Sequence, residues 1–139
     1  MAVLHSVAHA ASPDIVVYSG LPCGSAAAVS AARGGAEVVL LGPTKHVGGL
    51  STSGGNTAES EHLVAWTIGG FPDESYRCMG RHYRENHARP IRPHSEQRLD
   101  AVCSFESSVA EKVYRAMLTE AGVEVRCGAS VASVKRTAP

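Results

Sequence analysis

The sequence predicts an α/β fold: a parallel sheet with flanking helices. Two apolar runs, Ile15-Val16-Val17 and Val38-Val39-Leu40-Leu41, bracket an alanine-rich stretch that ends at Gly34-Gly35. Strand, helix and strand within about 25 residues form a βαβ unit, which requires parallel strands. The same order returns near the end, where an amphipathic stretch from Ser107 to Ala121 runs into a short apolar segment at 123–126. The 139 residues are enough for one domain with a real core, but not for a nucleotide-binding domain and a substrate domain together.

Each element has a local cause. Asp14 to Tyr18 holds β-branched residues in succession, which predicts a strand buried on both faces. Residues 24–33 are nearly all alanine and serine with one valine, a strong helix former of little bulk, and the glycine pair that follows can take a helix stop. Residues 38–41 give a second buried strand. Glycine pairs at 48–49, 54–55 and 69–70 then punctuate a long loop rich in Ser, Thr and His; loops of this length are functional or disordered. Tyr76, Met79 and Tyr83, spaced by three and four, predict a helix within 71–86, and Pro90 and Pro93 mark 87–97 as an exposed connection. In 107–121, Val109, Val113, Met117 and Ala121 form an apolar stripe that Ala110 and Tyr114 widen, ending at Gly122. A strand at 123–126 and one arm of a hairpin at 131–134 complete the reading, with residues 1–13 as a disordered leader before a domain at 14–136.

Thirteen basic and thirteen acidic side chains cancel, and no basic stripe points to nucleic acid or an anionic membrane. No apolar run reaches the roughly 18 residues of a membrane span. Cys23, Cys78, Cys103 and Cys127 form no CxxC pair, so they read as thiols of a reducing, cytoplasmic compartment and not as a zinc site. The apolar N-terminus faintly resembles a signal peptide but lacks its positive n-region. Glu59, Glu61 and His62 read as loop polarity, and Trp66 as a packing residue.

The turn between the first strand and helix spells Ser19-Gly20-Leu21-Pro22-Cys23-Gly24. In a dinucleotide fingerprint, GxGxxG, the first glycine makes the turn, the second lets the backbone approach a pyrophosphate, and the third lets helix and strand pack closely. Aligned on Gly24 as the third, Ser19 and Leu21 occupy the first two places. The helix N-terminus still offers N–H groups to a phosphate. At the end of the second strand, where an acidic side chain would hold a ribose, stands Gly42. On the motif alone, nucleotide binding and a βαβ domain without a ligand remain equally open. Cys23 reads either as a reactive thiol at a helix start or as a small space-filling residue.

More of the chain carries a resemblance. Pro22, Gly24, the alanine-rich helix, His46-Val47-Gly48-Gly49, Ile68-Gly69-Gly70-Phe71 before a helix with Tyr76, and Phe105-Glu106-Ser107 leading into VAEKVYRAMLTEAGVEV stand in an order similar to the N-terminal portion of FAD-dependent oxidoreductases, the Rossmann flavoproteins of glutathione-reductase-like type. The resemblance covers about residues 14–135. It implies a partial FAD/NAD(P)-binding Rossmann-like domain with the FAD pyrophosphate over the turn from Gly20 to Ser25, and the loop of Lys45, His46, Gly48 and Gly49 running along the cofactor. The cofactor-binding residues it implies are therefore Ser19, Gly20, Leu21, Pro22, Cys23, Gly24, Gly42, Lys45, His46, Gly48 and Gly49. It also implies later strands and a substrate domain that these residues do not contain, so neither a catalytic residue nor the small-molecule substrate can be named. Two other classes stand beside this one: half of a nicotinamide-binding dehydrogenase, and a degenerate interaction module that binds no cofactor.

Overall fold

The computed structural model describes residues 12–54, 67–86, 93–95, 98–102 and 104–136. Most of the leader, the loop residues Glu59, Glu61, His62 and Trp66, the connection at 87–92, and Cys103 lie outside them. Strand β1 (Ile15–Tyr18) leads into helix α1 (Pro22–Arg33) and strand β2 (Val38–Gly42); a single 3-10 turn follows at Gly49–Ser51. Helix α2 (Gly70–Asn86), strands β3 (Pro93–Ser95) and β4 (Arg98–Val102), helix α3 (Ser107–Glu120) and strand β5 (Glu124–Cys127) complete the order.

Among the described residues the main sheet is three-stranded, in the order β1-β2-β5. Both pairings are parallel, with Val16 opposite Val39 and Leu40 opposite Val125. Val38 and Leu40, joined by Val17 and Val125, face one side, where Ala28 and Val29 of α1 and Val109, Ala110, Met117 and Leu118 of α3 close the core. Each of the larger side chains buried here contributes about 1.5–3 kcal/mol. Helix α2 packs against α3 and lies on β4. A Cβ at Gly80 would stand 2.2 Å from the Asp100 carbonyl oxygen, so a glycine is what lets α2 and β4 touch. Arg33 and Glu74 tie α1 to α2 through two 2.7 Å hydrogen bonds.

Three expectations are corrected. β1 is not buried on both faces: it forms the edge of the sheet, with Ile15 40%, Val16 53% and Tyr18 50% exposed. The apolar run was legible, but the neighbour that would cover it is not among the described residues. The supposed connection at 87–97 contains β3, which pairs antiparallel with β4, Pro93 opposite Val102. Proline was read as a breaker, yet it opens a strand of a two-stranded ribbon, where its missing N–H is tolerated. Residues 131–134 carry no strand, and Val134 is among the most exposed apolar side chains. Alternation alone did not give it a partner. The other helices match expectation within two residues at each end, α1 starting early because Pro22 suits the first helical turn. Among the described residues, no helix is long and apolar enough to cross a membrane.

Candidate active-site cleft

The carboxyl ends of β1 and β2 meet a helix N-terminus at the turn 19–24. Leu21 is the N-cap residue of α1, with φ −84° and ψ 169°. This is extended backbone that any residue adopts, so the second fingerprint glycine is not needed here for conformation. Ser19 turns its hydroxyl oxygen to accept the Leu21 N–H at 3.3 Å, and buried Ser25 donates its hydroxyl to the Leu21 carbonyl. Gly24 takes the role of the third glycine: a Cβ there would lie 2.2 Å from the Ser19 carbonyl oxygen, so no larger residue lets α1 pack on the end of β1. Pro22 brings no N–H to the first helical turn, so the amides of Cys23 and Gly24 are those left without a partner within the helix, at the positive end of its dipole.

Opposite the turn lies the loop that leaves β2. Gly42 is buried against Gly20, where a Cβ would come within 3.3 Å of the Gly20 Cα. The Gly48 N–H donates to the Gly20 carbonyl at 2.6 Å, which stitches loop to turn. Gly48 has φ +98°, and any side chain would strike Thr52 and the Tyr114 ring, so both conformation and space demand glycine. Gly49 leaves room for Leu21, whose Cδ2 would be 2.8 Å from an added Cβ. Thr44 donates its hydroxyl to the His46 carbonyl at 2.7 Å, and the Thr44 carbonyl accepts from Gly128 at 2.9 Å.

Between turn and loop opens a cleft of about 310 Å³, lined by residues 18–21 on one side and by Pro43, Thr44, Gly49 and Ser53 on the other. A second opening of about 290 Å³ lies toward the amino ends of β2 and β5, beside Glu37, Gly122 and Glu124. Open α/β sheets bind ligands outside the carboxyl ends of their strands, so the first cleft is the candidate site. Among the described residues its lining contains no carboxylate, in keeping with Gly42 in the place of an acidic residue. The glycine notch and the hydroxyls of Ser19, Thr44 and Ser53 fit the diphosphate and sugar of a dinucleotide.

The structure gathers Ser19 to Gly24, Gly42, Gly48 and Gly49 around one junction. Of the predicted site residues, Ser19, Gly20, Leu21 and Gly49 line the cleft itself, and Pro22, Cys23, Gly24, Gly42, Gly48, Lys45 and His46 do not. The His46 Nδ1 meets Glu111 Oε2 at 2.6 Å, and Arg115 donates to the Lys45 carbonyl at 3.0 Å. Burial opposes ionisation of Glu111, but hydrogen bonds from His46 and Arg115 together outweigh it and hold its carboxyl below the usual range. Cys23 is exposed, and it, Cys78 and Cys127 are free thiols. Sequence reasoning missed Glu111, Tyr114 and Arg115, which showed only as parts of an amphipathic helix.

A parallel βαβ layer with its glycine-lined cleft at the strand ends defines a dinucleotide-binding domain of Rossmann type. The model of the family of FAD dependent oxidoreductases matches residues 14–138. The chain belongs to that family, and the family's cofactor is FAD. No curated protein matches the chain in sequence. Among solved structures, one titled "Crystal structure of AlpK" aligns at 16% identity with a TM-score of 0.54, over 91% of this chain and 26% of that one. The 3-ketosteroid-Δ4-(5α)-dehydrogenase from Rhodococcus jostii RHA1, in complex with 4-androstene-3,17-dione, aligns at 15% identity with a TM-score of 0.42, over 88% of this chain and 39% of that one. This chain thus spans well under half the length of either.

Proposed function

We propose that the chain is the FAD-binding N-terminal part of a larger oxidoreductase of glutathione-reductase-like type, in which residues 19–24, Gly42, Lys45, His46, Gly48 and Gly49 form the cofactor site of a domain at 14–136. The observation that carries the reading is the junction at the carboxyl ends of β1 and β2, where Gly24 seats the start of α1 against Ser19 and the Gly48-to-Gly20 hydrogen bond draws the loop onto the turn that lines the cleft. Gly20 and Gly24 let backbone amides close on the pyrophosphate. Thr44 and Ser53 offer hydroxyls to the sugar in place of the missing carboxylate. Bound FAD supplies the redox chemistry; this chain binds and orients it.

The exposed apolar edge of β1 supports a larger whole, since Val16 and Tyr18 call for a covering strand and packed layer that the described residues do not supply. Further polypeptide carrying that cover would also bring the substrate contacts and catalytic groups for a small molecule. Free thiols at three positions suit a cytoplasmic setting.

The test is the visible absorption of the purified chain before and after addition of FAD, with released flavin quantified. About one flavin per chain is expected from a single site of this kind. No uptake would overturn the reading in favour of a module that kept the fold without the ligand, and binding of NADPH or NADH without flavin would favour the dehydrogenase half. Leu21→Gly sharpens the result. Leu21 is 54% exposed at the cleft mouth, so removing its side chain is expected to tighten FAD binding by admitting the pyrophosphate closer to the backbone.

A further inference from the structure

The loop that closes the cofactor cleft is held from behind by one face of α3. Glu111, Tyr114 and Arg115 stand at i, i+3 and i+4, so a single helical turn presents all three to the loop. Glu111 gives one carboxylate oxygen to His46 at 2.6 Å and the other to Arg115 Nε at 2.9 Å. Arg115 then reaches the Lys45 carbonyl at 3.0 Å. Two consecutive loop residues are thus clipped to one helix by a closed circuit of hydrogen bonds, one through its side chain and one through its backbone. Next along the loop, Val47 is buried in the core, and Gly48 lies so close to the Tyr114 ring that an added Cβ would stand 2.7 Å from it.

Helix packing does not require this circuit. The apolar stripe of α3, from Val109 through Val113 and Met117, docks the helix into the core on its own. The loop does require it. A glycine-rich segment loses much entropy when ordered, and a segment held in its binding conformation beforehand spares the ligand that cost.

We propose that Glu111 is a positioning residue for the cofactor loop: by holding both His46 and Arg115, it fixes residues 44–48 over the α1 turn and thereby sets how slowly FAD dissociates. The inference rests on the FAD-binding reading above. Its experiment uses the 139-residue chain with FAD as the probe, in wild type, Glu111→Ala, Glu111→Gln, His46→Ala and the Glu111→Ala/His46→Ala pair. FAD affinity and dissociation rate are measured alongside amide hydrogen exchange at Gly48 in the absence of FAD.

Glu111→Ala is expected to weaken FAD about fivefold to tenfold, the range of a coupled network, chiefly through faster dissociation. Exchange at Gly48 should quicken in parallel. Glu111→Gln, which keeps an acceptor and the side-chain shape, should recover part of the loss. In the paired variant the His46→Ala loss should shrink to well below its size in the wild-type background, because both changes cut the same circuit; a role in stability alone would leave the two losses additive in FAD affinity and overturn the inference. Wild-type FAD binding that is unchanged in Glu111→Ala and in Glu111→Gln, with Gly48 exchange unmoved, overturns the inference alone. A wild-type chain that takes up no FAD overturns the FAD reading and the inference with it.

Discussion

β1 and β2 are nearly the same sentence in sequence, Ile-Val-Val-Tyr and Val-Val-Leu-Leu-Gly, and they live in opposite surroundings. β2 lies between two partners, and its Leu40 is 0% exposed. Among the described residues β1 has one partner, and three of its four side chains reach solvent. Composition sets what environment a strand suits; topology decides whether it receives that environment. Where the two disagree, as at Val16 and Tyr18, the molecule carries apolar surface of the kind that marks an interaction site or an aggregation hazard.

The largest expected effect tests the comparison directly. Leu40→Ala removes a fully buried side chain from beneath α1 and α3 and should cost about 2–5 kcal/mol, the range for such cavities. Val16→Ala, in the neighbouring strand, should cost less than about 1 kcal/mol, since its side chain is already half in water. Urea denaturation of both variants measures the contrast. Equal losses would mean that β1 is covered in the isolated chain and that the comparison fails.

A smaller effect is expected where the two strands converge on the cleft. Gly24→Ala places a methyl group 2.2 Å from the Ser19 carbonyl oxygen, which is backbone and cannot swing aside. Helix α1 must shift away from β1, at about 1–3 kcal/mol for such overpacking, while the β2 side of the core stays closed. FAD uptake should fall more steeply than stability, because the same displacement pulls the α1 amides from the junction. An unchanged FAD affinity would show that this helix terminus does not meet the cofactor.

These expectations rest on features unevenly legible in the sequence. α1, β2 and α3 could be read because their signals are local: alanine content, an unbroken apolar run, a stripe at three and four. Gly24 could be read as the packing glycine of the turn because its position is fixed relative to the strand before it. The edge placement of β1 could not, since it depends on which strands are present on either side. β3 was hidden by Pro93, whose effect reverses between a helix and the start of a strand. The Glu111–His46 contact was hidden most deeply. Its partners lie 65 residues apart, and nothing in a helix periodicity says which loop its polar flank will meet.

The smallest effect on stability comes from Val16→Lys, and it bears most on what the open edge is for. Val16 is paired with Val39 in the row that faces away from α1 and α3, with half of its surface in water, so a lysine can send its ammonium group outward while its stem covers the strand. The change in unfolding free energy should stay within about 0.5 kcal/mol, as for an exposed position. Self-association should respond far more strongly. A charge on an open apolar edge discourages strand-to-strand pairing between copies, so light scattering at rising protein concentration should drop relative to wild type. If β1 is instead shielded in the isolated chain, the lysine would be forced into an apolar contact, stability would fall by more than about 2 kcal/mol, and scattering would rise as the chain opens. The sign of the scattering change therefore tells whether the difference between β1 and β2 is one of exposure, or only of the partner each strand happens to have.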